Sequence, residues 1–180
     1  MMGRKELLVV GRVVLLMVFA GILQTVLISH VSILGVTADL FLILIIIVAV
    51  SRGSLQGAVF GFVVGLIADI VYFQPLGVRS LIYVLVGYFV GMFVARFSTV
   101  SPWSVALLAG VTSFLAQFLF GLFQYVMGPR GGFLTIIGTQ MLPEAILDGL
   151  VTAPLYVFLV RVRLLPVPQL DGARLGPSDE

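Results

Sequence analysis

The sequence predicts an all-α integral membrane protein, a bundle of six transmembrane helices with the amino and carboxyl termini in the cytoplasm. Three observations lead there. Of its 180 residues 61% are hydrophobic and 10% charged, with a mean hydropathy of +1.23, which leaves too little polar surface to cover a soluble globule. The apolar residues form runs long enough to cross a bilayer, parted by short turns rich in Gly, Pro, Ser and Arg. Basic residues gather beside alternate turns, which fixes an orientation.

Taken in order, the spans are expected over about 13–28, 34–50, 55–73, 81–95, 105–127 and 143–160, a single transmembrane domain over 1–163. Arg4, Lys5 and Arg12 before the first apolar run have the outline of a secretory signal, but the chain stays apolar afterwards, so an uncleaved anchor is expected. Gly21, Gln24, Thr25 and Ile28 share one face of that span. In the second span the branched run Ile43 to Val48 could serve a buried strand, yet no alternation surrounds it. Ser51, Arg52, Gly53 and Ser54 then read as a tight turn, and Pro75, Leu76, Gly77 and Arg79 join the third span to the fourth.

Pro102 and Trp103 open the fifth span, where tryptophan suits the headgroup level. Gly110, Ser113, Gln117, Gly121 and Gln124 give it a small, polar seam at helical spacing. Gly128, Pro129, Arg130, Gly131 and Gly132 form the next turn. The apolar stretch 133–160 is roughly 42 Å as one helix, too long for an untilted span. Pro143 is therefore expected to start the sixth span, with 133–142 a short interfacial or re-entrant piece. The tail, 164–180, carries Pro166, Pro168 and Pro177 and is expected to be disordered in the cytoplasm.

With the amino terminus inside, Arg4, Lys5, Arg12, Arg52, Arg96, Arg161, Arg163 and Arg174 are cytoplasmic and only Arg79 and Arg130 lie outside. That bias requires an even number of spans. The pI near 9.3 therefore reflects topology, and nucleic acid is not an expected partner.

The same orientation brings Asp69, Arg79, Glu144 and Asp148 to the outer end of the bundle. A carboxylate at the bilayer centre costs about 2.5 to 3.5 kcal/mol on insertion scales, so these groups need partners or water. Arg79 is the one cation at that depth and can bridge two carboxylates, so an outer knot of Asp69 and Arg79 with Asp148 or Glu144 is expected. Such a knot could lock helices together, line an outward-facing pocket or relay protons. Asp39 and His30, near the same surface, are expected to be solvated loop residues.

Gly57, Gly61 and Gly65 lead to Asp69 along one face of the third span, and Gly87, Gly91 and Ala95 make a similar face on the fourth. Small residues four apart let helix backbones approach, either with each other or with a partner's helix. Catalysis is not expected. The chain has no cysteine and one histidine, which excludes thiolate and multi-histidine metal sites, and no Gly-x-Ser nucleophile accompanies His30. No cofactor is implied.

Ala38-Asp39-Leu40, Arg52-Gly53, the series Gly57, Gly61, Gly65, Asp69, the turn Pro75-Leu76-Gly77, Leu81, and Gly87-Tyr88 with Gly91 resemble the MreD family of rod shape-determining membrane proteins. Their order and spacing cover about a third of the chain, with Ala38 standing where the family commonly has proline. The resemblance implies a non-catalytic subunit of the bacterial cell-elongation machinery in the cytoplasmic membrane. Its implied partners are MreC, RodA with its transpeptidase, and MreB, and its implied role is control of side-wall peptidoglycan synthesis. The family is also similar in fold to the substrate-binding components of energy-coupling-factor vitamin transporters, so a transporter component with an outward-facing pocket is the competing expectation.

Overall fold

Every residue from 40 to 50 is buried, although the segment is apolar all round and has no polar side to show solvent. This is the central rod of the structure, a computed structural model that describes residues 21–22, 36–71, 77–96, 101–127 and 137–161. Its regular elements among those residues are helices. They are α1 (Leu40–Arg52), α2 (Ser54–Val71), α3 (Val78–Val94), α4 (Pro102–Met127) and α5 (Leu142–Arg161), the last preceded by a π-helical turn, Ile137–Met141. Gly21 and Ile22 are helical. The rest of the first expected span, His30, the segments 72–76 and 128–136, and the tail lie outside the described residues.

The β-branched run in α1 is a weak helix former, but burial on all sides outweighs that preference. The helix starts at Leu40 and not at 34, because the Asp39 carboxylate accepts the Leu42 N–H at 3.2 Å and caps it. Its other end corrects the expected four-residue turn. Only Gly53 is non-helical, with φ of 89°, a left-handed value that glycine adopts without strain. Its N–H donates to the Ala49 carbonyl at 2.9 Å and its carbonyl accepts the Gly57 N–H at 3.0 Å, so one residue ends α1 and starts α2.

On α2 the buried residues are Gly57, Phe60, Gly61, Val64, Gly65, Ala68 and Asp69, and on α3 they are Ser80, Ile82, Tyr83, Val86, Gly87, Val90 and Gly91. Both are stripes at steps of three and four. The two stripes face each other in the most closely packed helix pair of the structure. A Cβ on Gly61 would run into the Tyr83 carbonyl, one on Gly65 into Ser80, and one on Gly91 into Ser54. A Cβ on Gly57 would lie 2.6 Å from that of Ala49 and 2.7 Å from the Gly87 carbonyl oxygen, so α1 crosses at the same place. The glycine faces fill one another.

A second pair, α4 and α5, crosses where Gly149 approaches α4; a Cβ there would lie 3.0 Å from the Ala106 carbonyl oxygen. The 137–141 part of the expected interfacial piece is a helical turn continuous with α5. Pro143 has no N–H to give the preceding turn, and the chain widens there into the π form. Pro102–Val126 and Ile137–Arg161, 25 residues each, are long and apolar enough to cross a membrane. By contrast α1, with 13 residues, is only about 20 Å long, so its start lies partway along its neighbours.

Replacing Gly61 with leucine should separate α2 from α3 and cost about 3 kcal/mol or more. Thermal unfolding of the purified protein in detergent measures this, and Gly138→Leu, whose Cβ meets nothing within 4 Å, is the neutral control.

Candidate functional site

The buried start of α1 requires polar partners, since its first N–H groups have no carbonyl of their own helix and no bulk water. Helix α5 supplies one, and α3 and α4 hold the carboxylates involved. From α5, Asp148 accepts the Asp39 N–H on Oδ1 at 2.8 Å. From α3, Arg79 Nη1 meets Asp39 Oδ2 at 3.3 Å, and the Tyr83 hydroxyl donates to the same oxygen at 2.5 Å. From α4, the Ser113 hydroxyl donates to Asp148 Oδ2. Asp39, Ser113 and Asp148 are buried, with Asp148 0% exposed, so each bond is made where water does not compete.

The Arg79 guanidinium also lies 4.6 Å from the centre of the Phe120 ring on α4, where the ring face attracts a cation. Beside this cluster, Gln117 Nε2 donates to Glu144 Oε1 at 2.5 Å, again joining α4 to α5. The polar seam of α4 thus faces α5 through Ser113 and Gln117. Thr152 turns its hydroxyl back to the Asp148 carbonyl at 2.5 Å, completing the buried polar stripe of α5.

Asp69 belongs to a separate arrangement. Gly77, the residue that caps α3, has φ of 100° and no side chain to bond the helix start. The Asp69 carboxylate does so from α2, accepting the N–H groups of Gly77 at 2.7 Å, Arg79 at 3.2 Å and Ser80 at 3.5 Å. It is 1% exposed and sits at the positive end of the α3 dipole. A neighbouring helix therefore caps α3.

Two expectations need correction. Asp39 is no solvated loop residue: it is 4% exposed and is the point at which α1, α3 and α5 meet. The expected ion pair between Asp69 and Arg79 is replaced by a bond from Asp69 to the Arg79 backbone, while the guanidinium turns to Asp39. Capping explains both, because a carboxylate at a helix start is held by several N–H donors at once. The signal for Asp39 was its place directly before an apolar helical run. Tyr83 was detectable as the residue one turn after Arg79 on the same face.

Asp39, Leu42, Arg79, Tyr83, Gln117 and Phe120 border a recess of about 10 Å³, room for about one water molecule. The chemistry on offer is structural: four helices fixed by charge-assisted bonds around a nearly filled centre.

Asp69→Ala should cost about 1 to 2 kcal/mol in detergent unfolding, as expected for loss of a helix cap, with Asp69→Asn milder because its amide oxygen still accepts. Exchanging the charges of Asp69 and Arg79 should be no better than the worse single change; clear recovery of stability in the exchanged protein would restore the side-chain ion pair.

The family comparison matches residues 5–163 to MreD, the rod shape-determining protein. Searches of curated proteins and of solved structures find no significant match. A match over so much of the chain, together with an all-helical architecture built on the glycine-and-aspartate segment, leads to one conclusion: the chain belongs to the MreD family of rod shape-determining proteins.

Proposed function

We propose that the chain is a non-catalytic scaffold subunit of the bacterial cell-elongation complex. In this reading it crosses the cytoplasmic membrane six times with both termini inside, binds MreC, and through RodA, its transpeptidase and MreB helps control side-wall peptidoglycan synthesis. The family match supports the role in shape. The observation that carries the scaffold reading is the self-satisfied cluster around Asp39, which spends its polar groups on holding helices. A recess of about 10 Å³ does not favour the vitamin-carrier reading, since small-molecule sites run to about 300 Å³ or more.

Partners then meet the bundle on its outer faces. Leu55, Val59, Phe62 and Ile70 on α2, and Leu85, Phe89 and Phe93 on α3, are exposed and apolar, suited to lipid or to a single helix of MreC. The glycines between α2 and α3 are occupied by each other and are assigned to internal packing. With Asp39 at the outer side, Arg52, Arg96 and Arg161 fall at the opposite, cytoplasmic ends of their helices.

Two measurements test this reading. Because the sequence has no cysteine, a single Ser101→Cys should react with membrane-impermeant thiol reagent only after the cell is opened, and Gly138→Cys should react in intact spheroplasts; the reverse pattern overturns the orientation. Arg79→Ala that still inserts should recover at least fivefold less MreC on co-purification, and full recovery would count against the cluster as the organiser of the contact.

A further inference from the structure

At the end of the bundle opposite Asp39, the start of α4 and the end of α5 leave a groove that the scaffold reading does not use. Its volume is about 510 Å³, and its walls come from Trp103, Ala153, Pro154, Val157 and Phe158, with Arg161 at the rim. Ala153 is small and Pro154 interrupts the hydrogen bonding of α5, so this stretch presents little bulk on that side. Among the described residues nothing pairs with Arg161, which is exposed at the last position of its helix. Trp103 is 78% exposed beside it.

We propose that this groove is a binding site for one anionic phospholipid, its acyl chain lying along Ala153, Val157 and Phe158 and its phosphate at Arg161. The complementarity is of two kinds at once. The groove walls are apolar, whereas the rim carries a guanidinium with no partner among the described residues, and a guanidinium binds phosphate by paired N–H donors. Trp103, with an apolar ring and one N–H, suits the level at which chain gives way to headgroup. A partner's transmembrane helix would match the apolar walls, but it would also have to carry an acidic group at the level of Arg161. The proposal rests on the proposed topology, in which α4 and α5 cross the bilayer and Arg161 lies on the cytoplasmic side, where anionic lipid attracts basic residues.

Trp103 is the only tryptophan in the sequence, so all tryptophan fluorescence arises at this groove. The full chain is reconstituted in phosphatidylcholine vesicles containing either brominated phosphatidylglycerol or brominated phosphatidylcholine in both leaflets, and quenching is followed against mole fraction. Phosphatidylglycerol should quench with about fivefold higher apparent affinity, in line with one arginine near an anionic surface. Arg161→Gln, an exposed change, should abolish that preference, and Ala153→Leu should weaken quenching by both lipids by filling the groove. Equal quenching by the two lipids, or no effect of either variant, overturns the site while leaving the membrane-spanning reading intact. Quenching that falls as protein density in the vesicle rises would assign the groove to a second copy and also overturns it. No quenching by either lipid would remove α4 from the bilayer and overturn both readings.

Discussion

A helix that begins inside a protein must satisfy its first N–H groups without bulk water, and this structure meets that requirement twice with aspartate. Asp39 caps α1 with its own side chain, and its backbone N–H is taken by Asp148 from α5. Asp69 caps α3 from α2. Except for the local cap of Asp39 on Leu42, these bonds join a backbone start to a different helix, so the same acceptors that remove an electrostatic penalty also fix which helices are neighbours. Arg79 follows from this arrangement: the Asp39 carboxylate, already turned toward the helix start, offers its second oxygen to the guanidinium and to Tyr83.

The glycines perform the complementary task. Where Asp39 and Asp148 hold α1 to α5, Gly57, Gly61, Gly65, Gly87 and Gly91 let α2 and α3 approach until backbone meets backbone. Dispersion between closely packed main chains is the attraction available where lipid tails remove any hydrophobic advantage for helix association. Members of the MreD family are membrane proteins, and the long apolar helices α4 and α5 are compatible with insertion.

Much of this was legible in the sequence. The stripe from Gly57 to Asp69 and its counterpart through Gly87 and Gly91 are periodic, and periodicity is what a helix face records. The seam through Gly110, Ser113 and Gln117 identified the side of α4 that meets α5 for the same reason. Pairings across the bundle were less accessible. Charge alone suggested Asp69 with Arg79, ten residues apart, because opposite signs attract; it could not reveal that the left-handed Gly77 leaves α3 in need of a cap and so claims Asp69 for the backbone. Nor could it reveal that Asp39 lies beside Asp148, 109 residues away in sequence.

That long separation bears on how the fold is assembled. As the ribosome delivers the chain, α1 emerges early, short for a bilayer and headed by an aspartate that its immediate neighbours do not bind through its amide. The acceptor for that amide arrives only with α5, the last of the described helices to be synthesised. Biogenesis therefore has a clasp: the early rod stays provisional until the late one docks beside it, and a chain halted before residue 148 would lack the group that fastens its centre.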